Sequence, residues 1–394
     1  MKKTSSIINR EVLGGCILIV DDVELNRLLI HNYLTQAGFH NLHLAVDGQD
    51  ALDKISQLNP DLVILDLIMP HTDGFEVCRK LRAHEMFSDL PILVQTAMSE
   101  PEERAQVFDA GATDLIAKPI SPLEICARTR IHLENRFLLR DLRAYRKRLT
   151  RDLEIARDMQ TALLPRQELL DEVEKEMRIQ VAYRYESSDE LGGDFWGLQR
   201  LGEQKLFFYM VDFAGHGVSA ALNTFRLHSL ISQVAAMESP AAYLEVLNRE
   251  LCKLLPVEQF ATMFCGLIDA AERTLTYASA ACPVPLLGKR GTERVELLDP
   301  EGLPLGVEPM ADYINRRLPL AAGDVLFIYS DVLAETPCHD GTRLEEAGVQ
   351  EIFRSCLADG GDSRRVLEAF FEKFDKRSPR PLRDDLTAVF FTCQ

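Results

Sequence analysis

Short apolar runs at residues 16–20, 62–65 and 91–95 each lead into a longer stretch with helical spacing of its apolar positions. Runs that are apolar throughout suit strands covered on both faces, so the alternation predicts a parallel sheet with helices on either side. Gly38, Pro60, Gly74, Pro101, Gly111 and Pro119 fall at the ends of these elements, where turns belong. Residues 13–130 are therefore expected to form one doubly wound α/β domain.

Between about residues 134 and 164 there is no Gly or Pro, and Leu138, Leu142, Tyr145, Leu149, Asp152, Ala156, Met159 and Leu163 step by four and three. That spacing is a heptad seam with Asp152 as its polar interruption, ended by Pro165. Residues 131–165 are read as a coiled-coil linker that pairs two copies of the chain in parallel. From about residue 177 onward the pattern changes to alternating segments at 206–211, 262–268, 274–278, 325–330 and 387–392, with helical stretches at 218–236, 240–255 and 364–375. Strands and helices without regular alternation predict a layered α+β domain over residues 175–394.

A length of 394 residues allows two or three domains, and 46% hydrophobic with 27% charged residues is an ordinary globular composition. A net charge of −17 repels a phosphate backbone, which argues against nucleic acid. Seven basic residues stand against two acidic ones between 134 and 151; they read as the solvated face of the coiled coil. No run approaches the roughly 18 apolar residues of a membrane span, and the first residues lack an apolar secretion segment. The expectation is a cytoplasmic protein away from the membrane, with its nine cysteines reduced.

Candidate chemistry in the first domain lies at strand ends. Asp21 and Asp22 follow the first run, Asp66 the second and Thr96 the third. The carboxyl ends of strands in an open parallel sheet form the ligand crevice, so the three acids should converge. Converging carboxylates demand a cation, and hard oxygen ligands suit Mg²⁺. Lys118 adds a fixed positive charge at the next strand end, and Thr96 a hydroxyl. Asp66, flanked by these groups, is equipped to accept a phosphoryl group.

The motifs V-D-D-V, L-D-L-I-M-P-x-x-D-G, Q-T-A and A-K-P resemble the receiver domain of bacterial response regulators. The resemblance implies a flavodoxin-like fold and transient phosphorylation of Asp66 by a histidine kinase or a small phosphodonor. Asp21 and Asp22 would hold Mg²⁺, while Thr96 and Lys118 read the phosphoryl group. Leu115 stands where the family usually carries an aromatic switch residue, so coupling is expected to run through the helix beginning near Pro122 instead.

In the last domain, Asp194, Asp212, Asp331 and the Asp384–Asp385 pair stand beside glycines or β-rich runs. Carboxylates without thiolate or multi-His partners select Mg²⁺ or Mn²⁺, and two such ions can activate water against a phosphate. His216 is read either as a donor to a leaving oxygen or as a turn residue. The motifs G-G-D-F-W, D-F-A-G-H-G, G-L-P-L-G-V, G-D-V-L-F-I-Y-S-D and D-D-L-T resemble PPM-type metal-dependent Ser/Thr phosphatases of the sporulation-phosphatase and RsbU-like branch. The resemblance implies a β-sandwich flanked by helices in which Asp212 bridges two ions. Asp194 and the Gly193 carbonyl would bind one, and Asp331 and Asp384 would complete the other. Gly197, Val332 and Cys282 depart from the family pattern, which has a second Asp, a Gly and a His at those places.

The order receiver, helical linker, phosphatase resembles RssB-type regulators of the general stress sigma factor and response regulators that act on anti-sigma antagonists. It implies an enzyme that dephosphorylates an anti-sigma-factor antagonist under control of Asp66. The alternative it implies is an adaptor that delivers a sigma factor for proteolysis.

Overall fold

The computed structural model describes residues 11–394 apart from 98–100, 189–190, 216, 257, 290–291, 340 and 358–361. The chain divides into two compact units after Leu149. In the first, strands β1 (Ile17–Val20), β2 (Leu42–Ala45), β3 (Leu62–Asp66), β4 (Ile92–Thr96) and β5 (Asp114–Ala117) alternate with helices α1 (Glu24–Gln36), α2 (Gly48–Leu58), α3 (Gly74–Ala83) and α4 (Pro101–Asp109). The sheet is parallel, in the order β2-β1-β3-β4-β5. Successive residues of β1 and β3 feed two different cores, Leu18, Val20, Val63 and Leu65 one face and Ile17, Ile19, Leu62 and Ile64 the other. That two-sided burial is why these strands carry no polar alternation. β1 and β3 are neighbours, so Asp21, Asp22 and Asp66 emerge side by side at one edge.

Helix α5 runs from Pro122 to Thr161, forty residues, so the linker is a continuation of the receiver-like unit's last helix rather than a new element at residue 131. Ile125, Leu133 and Phe137 are buried in the first unit's core. Beyond them, the seam residues Leu138, Leu142, Tyr145, Leu149 and Met159 are between 46% and 65% exposed. No helix among the described residues is long and apolar enough to cross a membrane.

The second unit follows with α6 (Gln167–Met177), β6 (Ile179–Glu186), β7 (Phe195–Leu201), β8 (Lys205–Phe213), α7 (Val218–Gln233), α8 (Pro240–Leu254), β9 (Ala261–Asp269) and β10 (Thr274–Ala280). Next come β11 (Leu286–Gly288), β12 (Val295–Leu297), β13 (Arg316–Pro319), β14 (Val325–Tyr329), α9 (Val332–Glu335), α10 (Glu345–Leu357), α11 (Ser363–Arg377) and β15 (Leu386–Cys393). Two antiparallel five-stranded sheets result, β13-β10-β9-β8-β7 and β12-β11-β14-β15-β6. Leu326, Ile328, Val389 and Phe391 share a core with Phe208 and Phe264 of the other sheet, and the Phe208 and Phe391 rings lie 4.4 Å apart. The alternate residues Phe327, Tyr329 and Phe390 pack outward on Phe353 and Phe370 of α10 and α11. Period-two alternation thus builds a β-sandwich with helices outside, as the sequence pattern predicts.

Candidate functional site

In the first unit Asp21, Asp22 and Asp66 each offer a carboxylate oxygen within 4.8 Å of the others. Lys118, just past β5, places its ammonium 2.6 Å from Asp66 Oδ2 and 3.4 Å from Asp21 Oδ2. Burial pushes the Asp66 carboxyl up, against the pull of Lys118, and the Asp21 charge adds to the rise. Asp21 is fully buried and is held by the Val23 amide at 2.9 Å and by the Asn26 side chain, which donates to both oxygens at 3.1 Å. Thr96 is buried at the end of β4, and its carbonyl accepts the Lys118 amide at 2.9 Å. Gly74 has a physical reason: a Cβ there would stand 2.4 Å from the Asp66 carbonyl, so only glycine lets α3 begin against the end of β3. Three hard oxygen donors around an open corner fit a Mg²⁺ ion, with Asp22 exposed on its outer side.

Leu115 is buried at 3% exposure, an aliphatic core residue at the place of the usual switch ring. Its neighbour Asp114 accepts from Arg128 at 2.7 Å and lies 2.9 Å from His132, both on α5. Burial alone would raise the Asp114 carboxyl, but the His132 and Arg128 bonds outweigh it and hold it below the usual range. The end of the sheet is therefore tied to the long helix by charge rather than by a ring.

The second unit gathers four of the aspartates singled out by sequence. Asp194, just before β7, is buried at 2% exposure, and Asp212 near the end of β8 is close enough for its charge to act on it. Burial, with the charges of Asp212 and Asp385, raises Asp194 well above the usual range. Burial and then Asp331 push Asp212 up to about 7, while burial and then Asp384 push Asp331 up to about 6. Asp194 Oδ2 is buried without a partner. A buried carboxylate oxygen without a partner, among other acids and without thiolate or imidazole donors, fits a hard divalent cation, Mn²⁺ or Mg²⁺. Asp384 is exposed and completes the group, and a cavity of about 430 Å³ lined by Glu186, Ser188, Arg380 and Asp384 opens beside it.

Residues 17–130 match the response regulator receiver domain family, and residues 202–394 match the stage II sporulation protein E (SpoIIE) family. The chain thus carries a segment similar to response regulator receiver domains, followed by one similar to the SpoIIE family. The receiver is 46% identical over 114 residues to the response regulator MprA of Mycolicibacterium vanbaalenii, covering 29% of this chain and 48% of that protein. It is 41% identical to the DNA-binding regulator RpaA of Synechocystis, covering 29% of this chain and 47% of that protein. The chain thus spans about half the length of these curated relatives. The SiaA-PP2C domain of Pseudomonas aeruginosa aligns with a TM-score of 0.56 at 23% identity, covering 64% of this chain and 99% of that chain, which shows a shared fold.

Within the SpoIIE-family domain the departures have packing explanations. A Cβ at Gly197 would stand 2.3 Å from the Tyr209 hydroxyl, so the ring across the β7–β8 ladder occupies the space a side chain would need. Val332 is buried in the core formed with α10 and α11. Cys282 is buried in the core between the sheets, its thiol 3.1 Å from the Ser279 hydroxyl and pushed up to about 12 by burial. The Gly193 carbonyl accepts the Thr224 hydroxyl at 3.1 Å. His216 lies outside the described residues.

Asp385 has a role that its neighbour Asp384 conceals in the sequence. It is 3% exposed, and its carboxylate accepts the Gly193 amide at 2.5 Å and the Ser188 amide at 2.8 Å. A Cβ at Gly192 would meet Asp385 Oδ2 at 2.7 Å, so that glycine admits the carboxylate. The only sequence signal for this role is the doublet itself, which does not say which member turns inward.

Proposed function

We propose that this chain is a two-component response regulator in which phosphorylation of Asp66 controls a metal-dependent phosphoserine or phosphothreonine phosphatase. Its proposed substrate is a phosphorylated anti-sigma-factor antagonist or a similar regulator of sigma-factor activity. The observation that carries the reading is the grouping of Asp194, Asp212 and Asp331, whose carboxyls burial and neighbouring aspartate charges raise, with Asp384 among the charges that act on them. An adaptor that only binds a sigma factor has no use for so costly a group.

In the receiver, an Asp66 carboxylate oxygen attacks the phosphorus of a phosphohistidine or acyl phosphate; a P–O bond forms to Asp66 and the bond to the donor's nitrogen or oxygen breaks. Lys118 is already 2.6 Å from Asp66 and faces the charge that arrives. Asp21 and Asp22 would hold the Mg²⁺ that neutralises the rest. In the phosphatase domain, Asp194, Asp212, Asp331, Asp384 and the Gly193 carbonyl would hold two divalent ions, which supply a deprotonated water and Lewis acidity toward the phosphate. Asp385 keeps the Gly192–Gly193 turn in place, and the cavity beside Asp384 admits the phosphorylated side chain.

The test is release of phosphate from a phosphoserine-bearing antagonist by the full chain with Mn²⁺, before and after treatment with acetyl phosphate. The expected result is a severalfold change in turnover on phosphodonor treatment that Asp66→Asn eliminates. An identical response in Asp66→Asn would refute control through Asp66. No hydrolysis under any condition, with capture of a sigma factor by the phosphorylated chain, would favour the adaptor.

A further inference from the structure

Outside the acidic site, the second unit holds a cavity of about 550 Å³ whose walls carry Arg343, Lys376 and Arg377 against the single acid Glu351. Three segments bring these side chains together. Between α9 and α10 the chain folds back on itself: Pro337 and Arg343 form an antiparallel bridge, and the Cys338 amide donates to the Thr342 carbonyl at 2.6 Å. Asp340 of that segment lies outside the described residues. The His339 amide donates to the Arg377 carbonyl at 2.9 Å, which fixes the segment against the end of α11. Ala347 and Gly348, at the start of α10, leave the floor without side-chain bulk.

Basic residues in the last turn of a helix complement its dipole, which accounts for Lys376 and Arg377 taken alone. It does not account for Arg343, which arrives from another segment, is exposed and has no ion-pair partner among the described residues. Lys376 and Arg377 do have partners, Glu372 at 2.7 Å and Glu351 at 3.6 Å, but such exposed pairs exchange for another acid at little cost. The positive run continues along the chain. Lys376, Arg377, Arg380 and Arg383 fall within residues 376–383 with no acid among them, and Asp384 follows. Arg380 is held by Glu186 and Asp375, whereas Arg383 is exposed without an ion-pair partner among the described residues.

A chain of net charge −17 repels a phosphoprotein on approach, the more so if that protein's own surface is acidic. A local cationic cavity reverses the field for one stretch of the partner. The lining has no Phe, Tyr or Trp on which a base could stack, and its charged side chains are all exposed. It therefore suits an extended segment that makes several separate charge contacts rather than an enclosed nucleotide. We propose that this cavity docks an acidic segment of the protein substrate, with Arg343, Lys376 and Arg377 meeting its carboxylates. The inference rests on the phosphatase reading of the acids to which the basic run leads.

Fluorescence anisotropy of a fluorescein-labelled hexaglutamate peptide, titrated with the full chain at constant low ionic strength, reads docking without hydrolysis. Arg343→Glu should weaken binding about fivefold, since one exposed attraction is lost and one repulsion gained. Lys376→Glu should weaken it by a similar factor. Arg294→Glu makes the same change of charge at an exposed residue outside the cavity, and should bind within about twofold of wild type. Turnover with Mn²⁺ then compares two phosphoserine peptides of one core sequence, one with an oligoglutamate tail and one with a Gly-Ser tail. Wild type should favour the acidic peptide in kcat/KM by about fivefold, and Arg343→Glu should remove the preference. Absence of probe binding by wild type, binding that both cavity variants leave unchanged, or an active wild type with no preference would overturn the proposal. An equal loss in Arg294→Glu would reduce the effect to net charge and count against the cavity. Displacement of the probe by pyrophosphate at matched ionic strength and lower concentration than free hexaglutamate requires would assign the cavity to a small polyphosphate instead. A wild type that binds the probe through Arg343 yet hydrolyses neither peptide would support docking there and overturn the phosphatase reading alone.

Discussion

The two acidic sites of this chain solve the same electrostatic problem in different ways. In the receiver, Lys118 stands 2.6 Å from Asp66, so one carboxylate is balanced by a charge the chain itself supplies. In the second unit, burial and the charges of other aspartates raise Asp194 and Asp212. The receiver site is ready to accept a dianionic group beside one ion. Acids raised as Asp194 and Asp212 are take up a cation in competition with protons.

The sharpest way to break the comparison is to remove the cation from the balanced site. Lys118→Ala leaves Asp66 and Asp21 facing each other, and with Lys118 itself partly exposed the receiver should lose about 2–3 kcal/mol of stability near neutral pH. The loss should shrink as pH falls and Asp66 takes up a proton; equal loss at pH 7.5 and pH 5 in chemical unfolding would contradict the pairing. A smaller effect is expected in the phosphatase domain. Carboxyls raised to about 7 and 6 bind more protons folded than unfolded, so stability of the ion-free domain falls as pH rises through that range. Between pH 5.5 and 7.5 the fall should be about 1–2 kcal/mol, after allowance for partial exposure. Mn²⁺ should offset it more at pH 7.5, where protons compete less. Stability that rises with pH in chelator would contradict the raised carboxyls of Asp212 and Asp331.

The receiver was legible because its strands are buried on both faces and its chemistry sits at their ends. Apolar runs located β1, β3 and β4, and a parallel order placed Asp21, Asp22 and Asp66 together. In the phosphatase domain the acids were legible by motif, but their division of labour was not. Asp384 and Asp385 are adjacent, and only the folded chain shows that Asp385 turns inward to the glycines. Strands β11 to β13, three or four residues each, are too short to show alternation. The linker's origin was obscured because charge and heptad pattern change after residue 130, whereas helical hydrogen bonding continues unbroken from Pro122.

The central claim is that Asp194, Asp212, Asp331 and Asp384 form a working metal-dependent phosphatase site. Hydrolysis of an aryl phosphate by the full chain with Mn²⁺, beside the Asp212→Asn variant and a chelator control, tests it most directly. The account predicts turnover that chelator abolishes and that Asp212→Asn reduces by about a thousandfold or more, with circular dichroism unchanged. Turnover that persists in a folded Asp212→Asn protein, or its absence from the wild type at every Mn²⁺ concentration, would contradict it.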